Sequence, residues 1–263
     1  MGSARWPDII WRVCYCRSVT TPEANRLKLL TEHLRPGTPL TSGDLRKLGI
    51  SADLTTHYVK AGWLTRLSRG VYAKPGDEIS VHPSLLVLQR TYADLYVGGK
   101  TALDWYGYRQ YIAHRPILRL YSRSTIPRLP SWFTERFTVT YHRKRLFEET
   151  SPRLLFVGPF EDRTNEPNVS EPERAALEVL SDVGVRQPLQ EARELFESTY
   201  TFRAHVLQEL LQHCTSVKTV RLCLLLGKEL SLPWAKELDA STFPKGGSKA
   251  WVSRGPDGLL VLK

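Results

Sequence analysis

Apolar residues recur at helical spacing through the first part of the chain: Leu27, Leu30 and Leu34, then Leu45 and Leu48, then Leu54, Tyr58 and Ala61. Each set falls on one face of a helix, which predicts three short amphipathic helices. Polar residues and glycines mark their limits. Thr21-Pro22 opens the first, and Pro36-Gly37 stops it. Thr41 and Asp44 have the spacing of a capping box for the second. Gly49 suits the left-handed residue that ends such a helix, and Ser51 is placed to accept from the first amides of the third. The second and third helices are therefore joined by about three residues, the turn length of a helix-turn-helix.

After Gly62 the pattern changes. Trp63 to Leu67 and Val71 to Lys74 are β-prone runs around Ser68, Arg69 and Gly70, a hairpin tipped with charge. With Leu54, Tyr58 and Ala61 turned inward, the outer side of the third helix carries Thr55, Thr56 and Lys60, with His57 at its margin. Helix, turn, helix and basic hairpin in that order are the parts of a winged helix. Short polar side chains on such a helix can reach base edges in the major groove of double-stranded DNA. Arg66, Arg69 and Lys74 are placed for the phosphate backbone or the minor groove. Hydroxyls at the helix starts, on Thr41, Ser42 and Ser51, complete the candidate DNA-facing set. The plain alternatives are a helix-turn-helix inside an all-α core and a hairpin whose charges are merely solvated.

His82 to Tyr92 reads as another helix with Leu85, Leu88 and Tyr92 inward, followed by a short β-prone run, Asp94 to Val97. Gly98-Gly99-Lys100-Thr101 then opens a helix with Ala102, Leu103 and Trp105. Strand, glycines, Lys-Thr and helix invite comparison with a phosphate-binding loop. That pattern requires a glycine where Asp94 stands, so the turn is read as a tight strand-to-helix connection. Ile117 to Ser122, Phe137 to Arg143 and Leu154 to Phe160 are strand candidates for a small mixed sheet. Ser170 and Glu173 repeat the capping-box spacing, and helices follow over Leu189 to Phe196, Phe202 to Leu211 and Val217 to Leu230. Ala250 to Val252 and Leu259 to Leu262 flank Gly255-Pro256-Asp257-Gly258, a terminal hairpin. The expected class is α+β. A loosely ordered leader occupies 1–20, a winged helix-turn-helix 21–80, and a mixed α/β domain with a small sheet and a helical second half 81–263.

Charge sharpens this picture. Lys and Arg outnumber Asp and Glu by 12 to 7 in residues 1–80 and by 12 to 5 in 81–160, whereas 161–263 holds 13 against 15. Polyanion binding is thus expected from the first two thirds. Arg119, Arg123, Arg143, Lys144 and Arg145 form a candidate auxiliary basic surface there, the alternative being a solvated sheet face. The four cysteines make no disulfide framework: Cys14 and Cys16 are too close for an easy bridge, and Cys214 and Cys223 fall in apolar sequence. A reducing cytoplasm, at the nucleoid, fits. No apolar run is long enough for a membrane span.

No motif marks a catalytic centre or calls for a metal or cofactor, and the seven histidines stand singly. Glu171, Glu173 and Glu178 are imaginable as metal carboxylates of a nucleic-acid-processing enzyme, but the spacing equally suits an acidic first helical turn. A protein-interaction module built on the winged helix is the third alternative.

Short motifs in a fixed order carry a resemblance. They are Leu48-Gly49-Ile50, Tyr58-Val59-Lys60-Ala61-Gly62-Trp63-Leu64, Arg69-Gly70-Val71-Tyr72, Gly98-Gly99-Lys100-Thr101-Ala102-Leu103, Gly107-Tyr108 and Ser170-Glu171-Pro172-Glu173-Arg174-Ala175. Val217-Lys218 to Leu226 and Trp234 to Leu238 close the series. Over about residues 22–263 the chain resembles the AbiEi family of transcriptional regulators, antitoxins of type IV abortive-infection toxin–antitoxin systems. The resemblance implies a bacterial autorepressor of its own operon. It also implies a functional partner, a nucleotidyltransferase-like toxin, counteracted by the C-terminal domain without need of a stable complex. Oligomeric state is left open.

Overall fold

The computed structural model describes residue 30, residues 36–108, 116–148, 156–244 and 246, and the backbone of 251–255 and 258–262. The expected helix over Leu27, Leu30 and Leu34 lies outside this set except for Leu30, which is helical and buried; the leader over 1–20, with Cys14 and Cys16, lies outside it altogether.

The helix-turn-helix forms from the signals that predict it. β1 (Leu40–Thr41) leads into α1 (Ser42–Lys47), where the Asp44 amide donates to Thr41 Oγ1 at 3.1 Å and the Thr41 amide to Asp44 Oδ2 at 3.0 Å. Gly49 takes φ +75° in the turn, a region open to glycine without steric cost. At the start of α2 (Ala52–Lys60), Ser51 Oγ accepts from the Leu54 amide at 3.2 Å. β2 (Thr65–Ser68) and β3 (Val71–Ala73) make the hairpin, and β1 adds to it by pairing Leu40 with Tyr72 and Thr41 with Val71. The wing is therefore a three-stranded antiparallel sheet in the order β1-β3-β2. β1 is too short for alternation to reveal it. Leu30, Leu40, Leu45, Ile50, Tyr58 and Leu64 give this unit its own small core.

A second, larger core begins with α3 (Val81–Thr91), β4 (Tyr96–Val97) and α4 (Gly99–Trp105). Its sheet is mixed and five-stranded, in the order β6-β5-β4-β8-β7. β5 (Leu118–Ser122) runs parallel to β6 (Val139–Arg143), and β4 parallel to β8 (Asn168–Ser170). β4 with β5, and β7 (Val157–Pro159) with β8, are antiparallel. The short α5 (Ser131–Thr134) lies in the β5-to-β6 crossover. α6 (Pro172–Asp182) packs against α4, α7 (Leu189–Phe196), α8 (Ala204–Gln212) and α9 (Val217–Glu229). β9 (Trp251–Gly255) and β10 (Gly258–Leu262) form the expected terminal hairpin. The three expected strands are present, while β8 and α5 are too short to be read from pattern.

One expected cap is replaced. At the start of α6, Glu171 is the cap residue and makes no side-chain cap bond. Ser170 Oγ donates instead to Glu178 Oε2 at 3.1 Å, and Glu173 is taken by Arg203, whose Nε and Nη2 lie 2.9 and 2.7 Å from its two oxygens. Charged partners brought in by the tertiary fold outcompete a local hydroxyl–carboxylate exchange.

The sheet and α6 meet at the Gly98-Gly99 turn. Glu178 Oε2 accepts from the Gly99 amide at 2.9 Å, and Oε1 accepts from Tyr96 Oη at 2.8 Å and Arg174 Nε at 3.0 Å. Arg174 and Glu178 are both buried. A Cβ on Gly98 would stand 2.4 Å from Glu178 Oε2, and one on Gly99 2.6 Å from the Tyr121 hydroxyl. The protein's own carboxylate thus holds the position at the start of α4 that a phosphate loop would give to its ligand, and Lys100 is bound to Glu191.

Glu178→Gln takes the bonded carboxylate away from the buried Arg174 guanidinium, and should cost roughly 3–5 kcal/mol in chemical denaturation; replacing both residues by apolar side chains should recover much of it. A second expectation concerns pH. Burial pushes the Glu173 carboxyl up, but the Arg203 bonds outweigh it and hold the group below its ordinary value near 4.5. The stabilisation is therefore present above the unfolded-state value and is lost as pH falls through the lowered folded-state value. The stability difference between the natural chain and Glu173→Gln should shrink over that acidic interval in parallel denaturation curves.

Candidate nucleic-acid interface

α2 presents Thr56, His57 and Lys60 to solvent and turns Thr55 and Tyr58 inward, with Leu54 and Val59 half-buried beside them. Thr55 is a correction to the expected outer face. It is 5% exposed, and its hydroxyl donates to the Ser51 carbonyl at 2.8 Å. Ala61, expected inside, is exposed at the helix end. The buried stripe is centred on Tyr58, and positions three and four residues before it share its face equally. Thr56 donates to the Ala52 carbonyl at 3.0 Å, which leaves its methyl and oxygen lone pairs facing outward.

The wing turn is fastened beside the first of these helices. The Ser42 amide donates to the Gly70 carbonyl at 2.9 Å, and Ser42 Oγ stands 3.5 Å from the same oxygen. Arg69, in that turn, is exposed, as are Arg66 on β2 and Lys74 after β3. Arg66 Nε donates to the Ser68 carbonyl at 3.3 Å. The Thr41 hydroxyl is spent on Asp44 Oδ2 at 2.8 Å and the Ser51 hydroxyl on its helix cap, so these two groups order the scaffold first.

The winged unit is mounted on the larger body. Leu67 and Val71 of the wing pack against the second core, and β2 lies against α5. Ser80 returns to the start of the unit, its amide donating to the Gly37 carbonyl at 2.9 Å, while the Gly37 amide donates to Asp77 Oδ2 at 3.2 Å. Arg90 on α3 donates through Nη1 to Asp44 Oδ1 and Oδ2 at 2.9 and 3.0 Å. Burial alone would raise the Asp44 carboxyl, but the Thr41 bonds, then Arg90 and Lys47, keep it below its ordinary value. The ion pair also gives the capping carboxylate, an anion close to the wing, a cationic partner. Sequence reading gives no hint of it, because 46 positions separate the two residues.

Two of the auxiliary arginines, Arg123 and Arg143, meet where β5 and β6 end. Arg119 and Arg123 are half-buried along and after β5, Arg143 and Arg145 are exposed, and Arg143 Nε lies 3.5 Å from the Arg123 carbonyl. Lys144 leaves the candidate set. Its ammonium is bound to Asp182 Oδ1 at 2.6 Å and to Ser181, so its charge is answered internally. Glu171 and Glu173 are engaged by Arg203, and Glu178 by Arg174. Among the described residues no three His, Cys, Asp or Glu side chains converge as a metal site, and no helix is long and apolar enough to cross a membrane. Cys214 and Cys223 are free and buried, and burial pushes the Cys214 thiol up to about 11, far from the thiolate form.

Comparison with solved structures finds the crystal structure of RV2827C protein from Mycobacterium tuberculosis. It is 16% identical, covers 86% of this chain and 82% of that one, and has a TM-score of 0.56, a likeness of fold. No curated protein sequence matches. Residues 23–114 match the family model described as "Transcriptional regulator, AbiEi antitoxin N-terminal domain", and residues 116–263 the one described as "Transcriptional regulator, AbiEi antitoxin, Type IV TA system". With both halves matched, the chain belongs to the AbiEi family, the transcriptional-regulator antitoxins of type IV toxin–antitoxin systems.

Proposed function

We propose that this regulator binds double-stranded operator DNA through its winged helix and represses the operon that encodes it. The observation that carries the reading is the joint exposure of Thr56, His57 and Lys60 on α2 and of Arg66, Arg69 and Lys74 on a wing whose turn is hydrogen-bonded to the start of α1. A helix with short polar and basic side chains outward matches the chemistry of a major-groove reader. The arginines and lysine supply the counter-charge for phosphates, and Ser42, beside the wing turn, is placed for a backbone contact. The DNA-binding unit is taken as residues 21–80, closed by the return of Ser80 to Gly37, and the antitoxin domain as 81–263.

The toxin partner is inferred to be nucleotidyltransferase-like, opposed by the C-terminal domain without a stable complex, and the site of action the cytoplasm at the nucleoid. A carboxylate-metal enzyme finds less support, since each carboxylate it would use is already committed to an arginine.

The roles on the DNA surface are separable. In fluorescence anisotropy with duplexes from the chain's own promoter region, Arg69→Ala should weaken binding to every sequence and reduce the salt slope by about 1, whereas Thr56→Ala should reorder preference among operator variants. An Arg69→Ala chain with unaltered affinity across the salt titration would remove the wing from the interface.

A further inference from the structure

Behind the wing, α3 and α4 on one side and the leading ends of β5 and β6 on the other enclose a half-open cavity of about 670 Å³. Its size is that of small-molecule sites, and its lining mixes apolar side chains with the polar His82, Thr101, Asp104, Arg136 and Thr138. One wall is aromatic. The His82 and Trp105 rings are tilted against each other with centroids 4.3 Å apart and planes at 30°, and Phe137 also lines the space. Glu166 Oε2 lies 2.6 Å from His82 Nδ1 and holds that ring in place. Ile117, at 39% exposure, leaves apolar surface open.

Arg136 supplies the charge. Its Nη1 donates to the Trp132 carbonyl at 2.8 Å, which orients the guanidinium. Among the described residues its other nitrogens have no partner, so an incoming acid meets a preset fork of donors. Asp104 also lines the cavity, its carboxylate engaged in an interaction of its own. A flat ring against the aromatic wall and an acidic group on Arg136 are together the features of a small aromatic anion.

We propose that this cavity is an effector site for a small aromatic carboxylate or sulfonate, and that its occupation alters the hold of the wing on DNA. The connection is physical continuity. Val81 and His82 begin the helix that follows the wing, and Arg136 follows α5, which packs on wing strand β2. A ligand tying these walls together acts on the helix that follows the wing and on the segment that follows α5, the wing's support. The regulatory half rests on the DNA-binding reading above; the site itself does not.

The probe is 8-anilinonaphthalene-1-sulfonate, titrated by calorimetry into the full chain without DNA. Saturable one-to-one binding is expected, weakened roughly tenfold or more by Arg136→Gln, which removes charge-assisted bonds, and by Thr138→Trp, which fills the cavity from its rim. Arg145→Gln, an equal loss of charge at an exposed position away from the cavity lining, should leave binding unchanged. Near-ultraviolet circular dichroism checks that each variant is folded. Binding indifferent to both cavity variants, or equally weakened by Arg145→Gln, would overturn the site. In the second arm, saturating probe should shift duplex affinity for the natural chain and not for Thr138→Trp. Probe binding with no such shift would overturn the regulatory half, and absence of duplex binding without probe would count against the winged-helix reading alone.

Discussion

A buried carboxylate fixes the relation between sheet and helices. Glu178 closes the Gly98-Gly99 turn by accepting its amide, takes a hydroxyl from strand β4 through Tyr96, and neutralises Arg174 one helical turn earlier on α6. Each contact would be weak in water. In a dry interior the charge must have all of them, because a carboxylate left partly unsatisfied there costs more than any single bond returns. The surrounding groups are specified accordingly. The glycines leave no Cβ in the way, and Tyr121 stacks over the turn between Tyr96 and His142, with centroids 5.8 and 4.8 Å away. The Arg174 guanidinium lies over the rings of Phe147 and Tyr96, 4.6 and 5.1 Å from their centroids, which adds cation–π attraction to the charge.

This rigid body is what the winged helix stands on. A two-stranded ribbon alone is marginal in water and would sweep a range of positions. Here it gains a third strand from Leu40–Thr41, a hydrogen bond from Ser42 to its turn, and apolar backing for Leu67 and Val71 from the second core. An arginine in that turn is therefore presented from a fixed base, which lowers the ordering entropy a charged contact must overcome. The neighbouring cavity adjoins this mounting: α3, whose first residues line it, follows the wing in the chain, and α5, which packs on β2, runs on into Arg136 at the cavity's other wall.

The sequence by itself determined what depends on neighbours a few positions apart. The Thr41–Asp44 box, the left-handed Gly49, the Ser51 cap, the charged hairpin at Arg69-Gly70 and the helices over 189–230 are all encoded within one or two turns of chain, and all are present. The family resemblance was legible in the same way, from short motifs in order. Only the tertiary structure decided which side of α2 is covered. Leu54 and Thr55 are equally placed to share the face of Tyr58, and the choice that buries Thr55 and exposes Ala61 is made by what packs on that helix. It also decided the partners of charged groups. Glu173 exchanged an expected local cap for Arg203, Lys144 left a basic surface for Asp182, and Asp44 met Arg90, all across tens of residues. Local propensity carries no information about such pairs, because charge attraction acts through the distance the fold creates and not through separation along the chain.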